Sequence, residues 1–183
     1  MSTDVQILSG EEVTRTLDRL AFEILERHVR TEDLAIIGIQ RRGVQIASQI
    51  KAILDSRLEG SIPLGKLDIN LYRDDWTTLS TQPRINSTEI DFPLGSRDII
   101  LVDDVLYSGR TVRAALEAIL DFGRPNRVEL LVLVDRGHRE LPIHADYVGK
   151  KINTGRGEQV DVLVQEIDGR DEVVLKRRGP ESD

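Results

Sequence analysis

The sequence has no cysteine. Disulfides, zinc–thiolate sites, iron–sulfur clusters and a cysteine nucleophile are therefore all excluded. Three histidines leave little material for a His-rich metal centre. No apolar run reaches the roughly 18 residues of a membrane-spanning helix. The opening MSTDVQILSG has neither the basic start nor the apolar stretch of a secretion signal. The expectation is a cytoplasmic protein with no membrane segment. Familiar catalytic motifs are missing too. Gly38 and Gly43 have P-loop spacing, but Val44-Gln45 stands where lysine and Ser/Thr are required. No Gly-x-Gly-x-x-Gly follows a strand, and no Gly-x-Ser-x-Gly supplies a hydrolase nucleophile. Positive charge is in the minority: 25 Lys plus Arg against 32 Asp plus Glu leave a net charge of −7. Duplex binding depends on neutralising phosphates, so a dedicated nucleic-acid coat is disfavoured and only a local basic face could serve. What is present is 183 residues, 39% hydrophobic and 31% charged. That suits one folded domain over residues 1–183 rather than a disordered chain.

Hydrophobic periodicity outlines an α/β chain. Ser9-Gly10-Glu11-Glu12 reads as a capping box, and Val13, Leu17, Leu20, Ala21, Ile24 and Leu25 continue as one face of a helix from about Gly10 to Val29. Leu34 to Ile39 is an unbroken apolar run, the type buried in parallel sheets. Val44, Ala47, Ile50, Ile53 and Leu54 predict a second helix, and the alternation of Leu67, Ile69 and Leu71 predicts a strand to about Tyr72. Arg73 to Ile90 shows neither period, and a long connection of this kind is often a functional flap. Asp98 to Val102 predicts a buried strand, Gly109 to Phe122 a helix, and Val128 to Val134 another buried strand. Ala145 to Ile152 reads as a short strand or arm. Val160, Val162 and Val164 alternate, Asp168-Gly169 turns the chain, and Val173 to Leu175 returns, which predicts a terminal β-hairpin. Strands alternating with helices imply a mainly parallel sheet flanked by helices.

In such folds ligands bind beyond the carboxyl ends of the strands. Three strand ends carry unusual polar residues: Gln40-Arg41-Arg42-Gly43, Asp103-Asp104 with the loop after them, and Asp135-Arg136-Gly137. The middle one is the most specific. Asp103 and Asp104 close a buried strand, and Val105-Leu106-Tyr107-Ser108-Gly109-Arg110-Thr111 leads into a helix. A helix start with free N–H groups and hydroxyls suits a phosphate. Adjacent carboxylates suit the two hydroxyls of a ribose. Alone, the acids would also fit a helix cap; beside Ser108 to Thr111 they read as a ribose 5-phosphate site. This is the signature of the type I phosphoribosyltransferases.

Beyond the motif, the chain resembles the PyrR proteins, pyrimidine regulatory proteins with uracil phosphoribosyltransferase activity. The resemblance is carried by Asp68 to Asp75, Val102 to Thr111, Leu133 to Ile143 and Ala145 to Lys150, and it extends from the first helix to the terminal hairpin. It implies the type I phosphoribosyltransferase fold with a flexible flap. It implies UMP and pyrophosphate made from uracil and phosphoribosyl pyrophosphate with Mg²⁺, binding of a pyr mRNA leader, and a homodimer or higher homo-oligomer. By the same resemblance Asp103 and Asp104 bind the ribose hydroxyls, and Val105 to Thr111 cradle the 5-phosphate. Gln40, Arg41, Arg42 and Arg73 meet pyrophosphate, and Asp135, Arg136, Gly137 and His138 lie where the base binds. The family's Lys-Thr-Arg-Gly is here Gln40-Arg41-Arg42-Gly43, and its Pro-Thr-Ser after the arm is Asn153-Thr154-Gly155. Arg15, Arg19, Arg139 and Lys150 are the candidates for an RNA face. Against them stand Asp18, Phe22 and His144, where RNA-binding members tend to have Thr, His and Arg. The alternatives are an RNA-binding attenuator that senses UMP with little catalysis, an enzyme that has lost RNA binding, or a scaffold in which the two acids are structural.

Overall fold

Strand β4 (Asp98–Leu106) is the middle of a five-stranded parallel sheet, and its residues alternate between two cores. Ile100 and Val102 face one side, Ile99 and Leu101 the other, and all four are fully buried. The computed structural model describes residues 3–74 and 88–177, so most of the expected flap lies outside the described residues. Chain order gives β1 (Thr3–Leu8), α1 (Gly10–Arg27), β2 (Leu34–Ile39), α2 (Arg42–Asp55), β3 (Leu64–Leu67) and a 3₁₀ turn (Asn70–Tyr72) before β4. After it come α3 (Arg110–Leu120), β5 (Arg127–Asp135), β6 (Tyr147–Lys151), β7 (Glu158–Leu163), α4 (Gln165–Asp168) and β8 (Glu172–Arg177). The sheet order is β3-β2-β4-β5-β6. Helices α1 and α2 cover one face through Leu17, Leu20, Ile24, Ile46 and Ile50. On the other face α3 packs Ala115, Ala118 and Ile119 against the sheet. None of the described helices is long and apolar enough to cross a membrane.

The first helix forms as its cap predicts. The Ser9 hydroxyl accepts the Glu12 N–H, and the Glu12 carboxylate accepts the Ser9 N–H at 2.8 Å. It ends at Arg27, two residues before the expected Val29, because His28 leaves helical geometry to bury its ring. The strand predicted to run to Tyr72 is a larger correction. The chain leaves β3 at Leu67, and the Asp68 side chain accepts the Asn70 N–H at 2.9 Å, folding the alternating residues into the 3₁₀ turn. Ile69 is buried, whereas Leu71 is 59% exposed. At its far end, the long connection is not structureless: Lys66 and Glu89 exchange two backbone hydrogen bonds of 2.8 Å beside β3. The terminal hairpin is present as β7 and β8, but α4 connects its strands and β1 adds to it, giving an antiparallel sheet of order β1-β8-β7.

At the amino ends of β4, β5 and β6, remote from the polar strand ends, lies a buried polar cluster. Tyr147 is fully buried and its hydroxyl donates to Glu129 at 2.6 Å, while His28 Nε2 lies 2.9 Å from the same oxygen. Burial, then the Glu129 carboxylate, push the Tyr147 phenol well above its ordinary pKa. Tyr147→Phe removes a hydrogen bond to a charged acceptor and should cost about 1.5 kcal/mol. Chemical denaturation should show this as a lower midpoint at an unchanged m-value, with catalytic constants at the wild-type level.

Candidate functional site

The pairing of β4 places its two acids. Strand β2 last pairs with β4 at Gly38 and Val102, while β5 continues to pair as far as Leu106 with Asp135. Asp103 and Asp104 therefore lie within β4 rather than after it, but beyond the end of β2. One flank is held by β5 and the other opens where the chain turns into α2. Asp103 is 6% exposed, and its carboxylate accepts the Asp104 N–H at 3.0 Å. The Asp104 carboxylate accepts the Val105 N–H at 2.7 Å. Burial, then the charge of Asp104, push Asp103 well above the usual carboxylate range. Burial also raises Asp104, against backbone hydrogen bonding and the charge of Arg42, which lower it. Holding two adjacent carboxylates in a dry strand is unfavourable for the free protein, as expected of a site prepared for a polar or cationic ligand.

Two neighbouring cavities share Arg73 and Thr111, and these acids line one of them. One, of about 260 Å³, is bordered by Gln40, Arg41, Arg42, Arg73, Asp103, Asp104 and Thr111, with Asn70 on its wall. The other, of about 300 Å³, is bordered by Arg73, Asp74, Tyr107, Ser108, Arg110 and Thr111. Arg73 and Thr111 belong to both. The structure thus brings together every residue expected at pyrophosphate with both acids and the end of the phosphate cradle. The Gln40–Arg41 peptide is cis, Arg41 is exposed, and Arg42 pairs with Asp168 at 2.8 Å.

The cradle is built by Gly109, the N-cap of α3, at φ 90°. A Cβ there would be strained, and it would also meet Ile143 at 3.1 Å. The carbonyl of Ser108 accepts the N–H groups of Glu140 and Leu141, and the Ser108 hydroxyl accepts the Arg110 N–H at 3.3 Å. The loop is fixed from behind, and the N–H groups of Thr111 and Val112 head the helix. The Arg110 side chain is committed elsewhere, to Glu140 at 2.7 Å and Asp74 at 2.8 Å.

Near the expected base position the side chains hold the protein together. Asp135 pairs with Arg139 at 2.6 Å and accepts the Gly137 N–H at 3.0 Å. Arg136 is buried, donates to Thr154 Oγ1 and to the carbonyls of Gly155 and Glu158, and lies 4.2 Å over the Tyr107 ring. His138 Nε2 donates to the Thr154 carbonyl at 2.5 Å and its ring meets Tyr107 edge-on. Their polar heads are bonded within the protein, and none of Asp135, Arg136, Gly137 and His138 borders either of the two cavities.

A family model described as phosphoribosyl transferase domain matches residues 5–165. A bifunctional protein PyrR of Deinococcus deserti is 56% identical over 170 residues, covering 92% of this chain and 92% of that protein. One of Pelotomaculum thermopropionicum is 52% identical over 170 residues, covering 93% and 94%. The chain belongs to the PyrR family of phosphoribosyltransferases. A hypoxanthine phosphoribosyltransferase structure from Staphylococcus aureus has a TM-score of 0.69 over 97% of this chain and 93% of that one. At 20% identity it is evidence of the shared fold alone.

Within this PyrR-family fold the four RNA candidates do not share one face. Arg19 crosses from α1 to β6, donating to the carbonyls of Gly149 at 2.6 Å and Val148 at 3.3 Å. Lys150 reaches the carbonyl of Ile7 at 3.4 Å. Arg15 is exposed one helical turn from Arg19, beside Glu11 at 3.8 Å. Arg139 does not join them. Its guanidinium is turned into the Asp135–Ile143 loop, bonding Asp135 and the carbonyls of Ile143 and Tyr107. Asp18 and Phe22 belong to a separate contact: Asp18 lies 3.8 Å from Arg57, whose guanidinium covers the Phe22 ring at 4.2 Å. His144 borders an apolar groove with Leu116, Leu130 and Ile143.

Sequence reasoning placed Asp74 only as a possible partner of Arg73 and gave Thr154 and Asp168 no part in the site, whereas the structure pairs them with Arg110, Arg136 and Arg42. Each acts as the internal partner of a site arginine, and such pairing leaves no local pattern. Of Thr154 and Asp168, only Asp168 had a signal, beside Gly169, and it indicated a turn.

Proposed function

We propose that this PyrR-family protein transfers the phosphoribosyl group of phosphoribosyl pyrophosphate to uracil in the cytoplasm, forming UMP and pyrophosphate. A second role is to bind a pyr mRNA leader. The observation that carries the first role is the junction at Thr111, where the acid pair, the helix-start cradle and the arginines of the Gln40–Gly43 turn border joined cavities. Asp103 and Asp104 hold the ribose hydroxyls, and their negative charge faces the anomeric carbon as it becomes cationic. The N–H groups at the start of α3 bind the 5-phosphate. Arg41, Arg42 and Arg73 receive the charge that develops on departing pyrophosphate. Uracil N1 then attacks from the side of the Asp135–His138 loop.

Among the described residues no group of three or more His, Asp or Glu is arranged to hold a metal ion. The oxygen-rich wall (Asp103, Asp104, Gln40 and Asn70) fits Mg²⁺ that arrives with its substrate, with Asp103 or Asp104 as the carboxylate available to it. When bound, Mg²⁺ supplies charge neutralisation at the leaving pyrophosphate.

The test is product formation from each base. Uracil with phosphoribosyl pyrophosphate should yield UMP, whereas hypoxanthine and guanine should yield no nucleotide. Absence of UMP would reject the assignment.

Regulation is supported by Arg15, Arg19 and Lys150 along the seam of α1 and β6, with Asp18 3.8 Å from Arg57. Affinity for a pyr leader should fall linearly on a log–log plot against salt. Arg15→Ala should reduce that slope by about one while UMP formation is unchanged. A flat salt response would argue against phosphate recognition by this face. The protein acts as a homodimer or higher homo-oligomer, which sedimentation would reveal.

A further inference from the structure

We propose that Asp168 is a positioning residue for Arg42, fixing its guanidinium for the pyrophosphate end of the substrate. The inference rests on the phosphoribosyltransferase reading above and assigns a role in that reaction to the connection between β7 and β8. Arg42 borders the cavity that holds Asp103 and Asp104, whereas Asp168 is outside that lining. The contact is a fork. Arg42 Nη2 donates to Asp168 Oδ1 at 2.8 Å, and Nε donates to Oδ2 at 3.2 Å. Such two-point pairing holds the plane of the guanidinium as well as its place. Asp168 takes one donor each from Nε and Nη2, so the donors on Nη1 stay outside the pair.

The carboxylate is itself held. Its Oδ2 accepts the Val164 N–H at 2.9 Å, and α4 ends immediately after it at Gly169, at φ 76°. The Asp168 side chain is 16% exposed and that of Arg42 36%. Arg42 holds the Asp168 carboxyl below its ordinary pKa, which keeps it anionic at neutral pH. There is also a local reason for an anion here. Arg42 is the first residue of α2, where a cation opposes the helix dipole. Unsupported, a long side chain in that position would sample many rotamers and would have to be ordered on each binding event. Asp168 removes that cost before the substrate arrives.

Asp168→Asn tests this, because Asn keeps the size of the side chain and an acceptor for the Val164 N–H. Wild-type protein is first titrated calorimetrically with Mg-pyrophosphate and with UMP, and its KM for phosphoribosyl pyrophosphate is measured. In the variant, pyrophosphate affinity should fall and KM should rise by about fivefold, the scale of ordering one arginine side chain. UMP affinity and thermal midpoint should match wild type. In an Arg42→Ala background the same substitution should have no further effect on either pyrophosphate affinity or KM. Unchanged or tighter pyrophosphate binding would overturn the proposal, tighter binding because it would make Asp168 a competitor for Arg42. An equal loss for UMP, or full additivity with Arg42→Ala, would make its role merely structural and overturn it too. If wild-type protein bound no pyrophosphate and made no UMP, the underlying reading would fail first, and that result is separately visible.

Discussion

Asp104→Asn should lower kcat/KM for UMP formation by roughly 10²–10³-fold, the usual consequence of removing one preorganised charge from a developing transition state. The side chain keeps its size and can still accept the Val105 N–H, so the fold should survive. The loss should fall mainly on kcat, because the charge is most useful when the anomeric carbon is most cationic. Steady-state kinetics would check this, and a variant with kcat within a factor of about two of wild type would remove the acids from the chemistry. Asp103→Asn should be similarly damaging to activity yet stabilising to the free protein. Burial and Asp104 raise the Asp103 pKa, so its ionisation is opposed by folding. The associated stability is fully present below the ordinary carboxylate pKa and is lost as pH rises through the elevated value. The neutral variant escapes that loss. It should gain about 1 kcal/mol at pH 8, roughly 2–4 °C in thermal midpoint. The gain should shrink toward zero as the pH falls below the carboxylate range. An equal gain at every pH would mean that charge is not its cause.

Gly43→Ala should unfold the protein roughly 6–12 °C earlier, corresponding to about 3 kcal/mol of overpacking. A Cβ on Gly43 would lie 2.6 Å from the Val102 carbonyl oxygen and 3.3 Å from Asp103 Cα. Neither is a flexible side-chain end. The start of α2 would have to retreat from β4, carrying Arg42 away from the acid pair. Activity measured well below the new midpoint should therefore also be reduced, through a higher KM for phosphoribosyl pyrophosphate. Calorimetry and steady-state kinetics on one preparation test both parts, and an alanine variant melting at the wild-type temperature would contradict the close backbone approach. Gly38 is crowded in the same turn, with Val44 Cα 2.5 Å from a built Cβ. In the sequence the two glycines look like a defective P-loop. In the fold they are where β2, α2 and β4 meet backbone to backbone.

What could be read in advance was what nearby residues encode. The Ser9–Glu12 capping box and the apolar run Leu34–Ile39 are each contained within a few residues, and each was found where the pattern placed it, whereas the acids before Ser108–Thr111 lie inside β4, which runs on to Leu106. Misreadings came from interactions closed over long separations and, once, from a side chain two residues away. Strand β1 was invisible because a short run with Val5 and Ile7 becomes a strand only by pairing with Val174 and Leu175 of β8. Leu67, Ile69 and Leu71 alternate as a strand would, but Asp68 captures the Asn70 N–H and turns the chain. Arg136 and Arg139 looked like ligand groups because a sequence does not say which acceptors surround a cation.

The sequence by itself determined the fold class and the chemistry of one strand end, because burial periodicity and a short loop of hydroxyls, glycine and acids are local properties. Tertiary structure decided which charges remain for ligands. Arg42, Arg110, Arg136 and Arg139 are equivalent on paper, and in the fold each is paired within the protein, yet Arg136 and Arg139 border neither of the two cavities, Arg110 borders the one beside Ser108, and Arg42, held by Asp168, borders the one lined by the acids. The physical reason is that a guanidinium is satisfied by whatever carboxylate or carbonyl packing brings within about 3 Å, and for Arg42 that partner is 126 residues away.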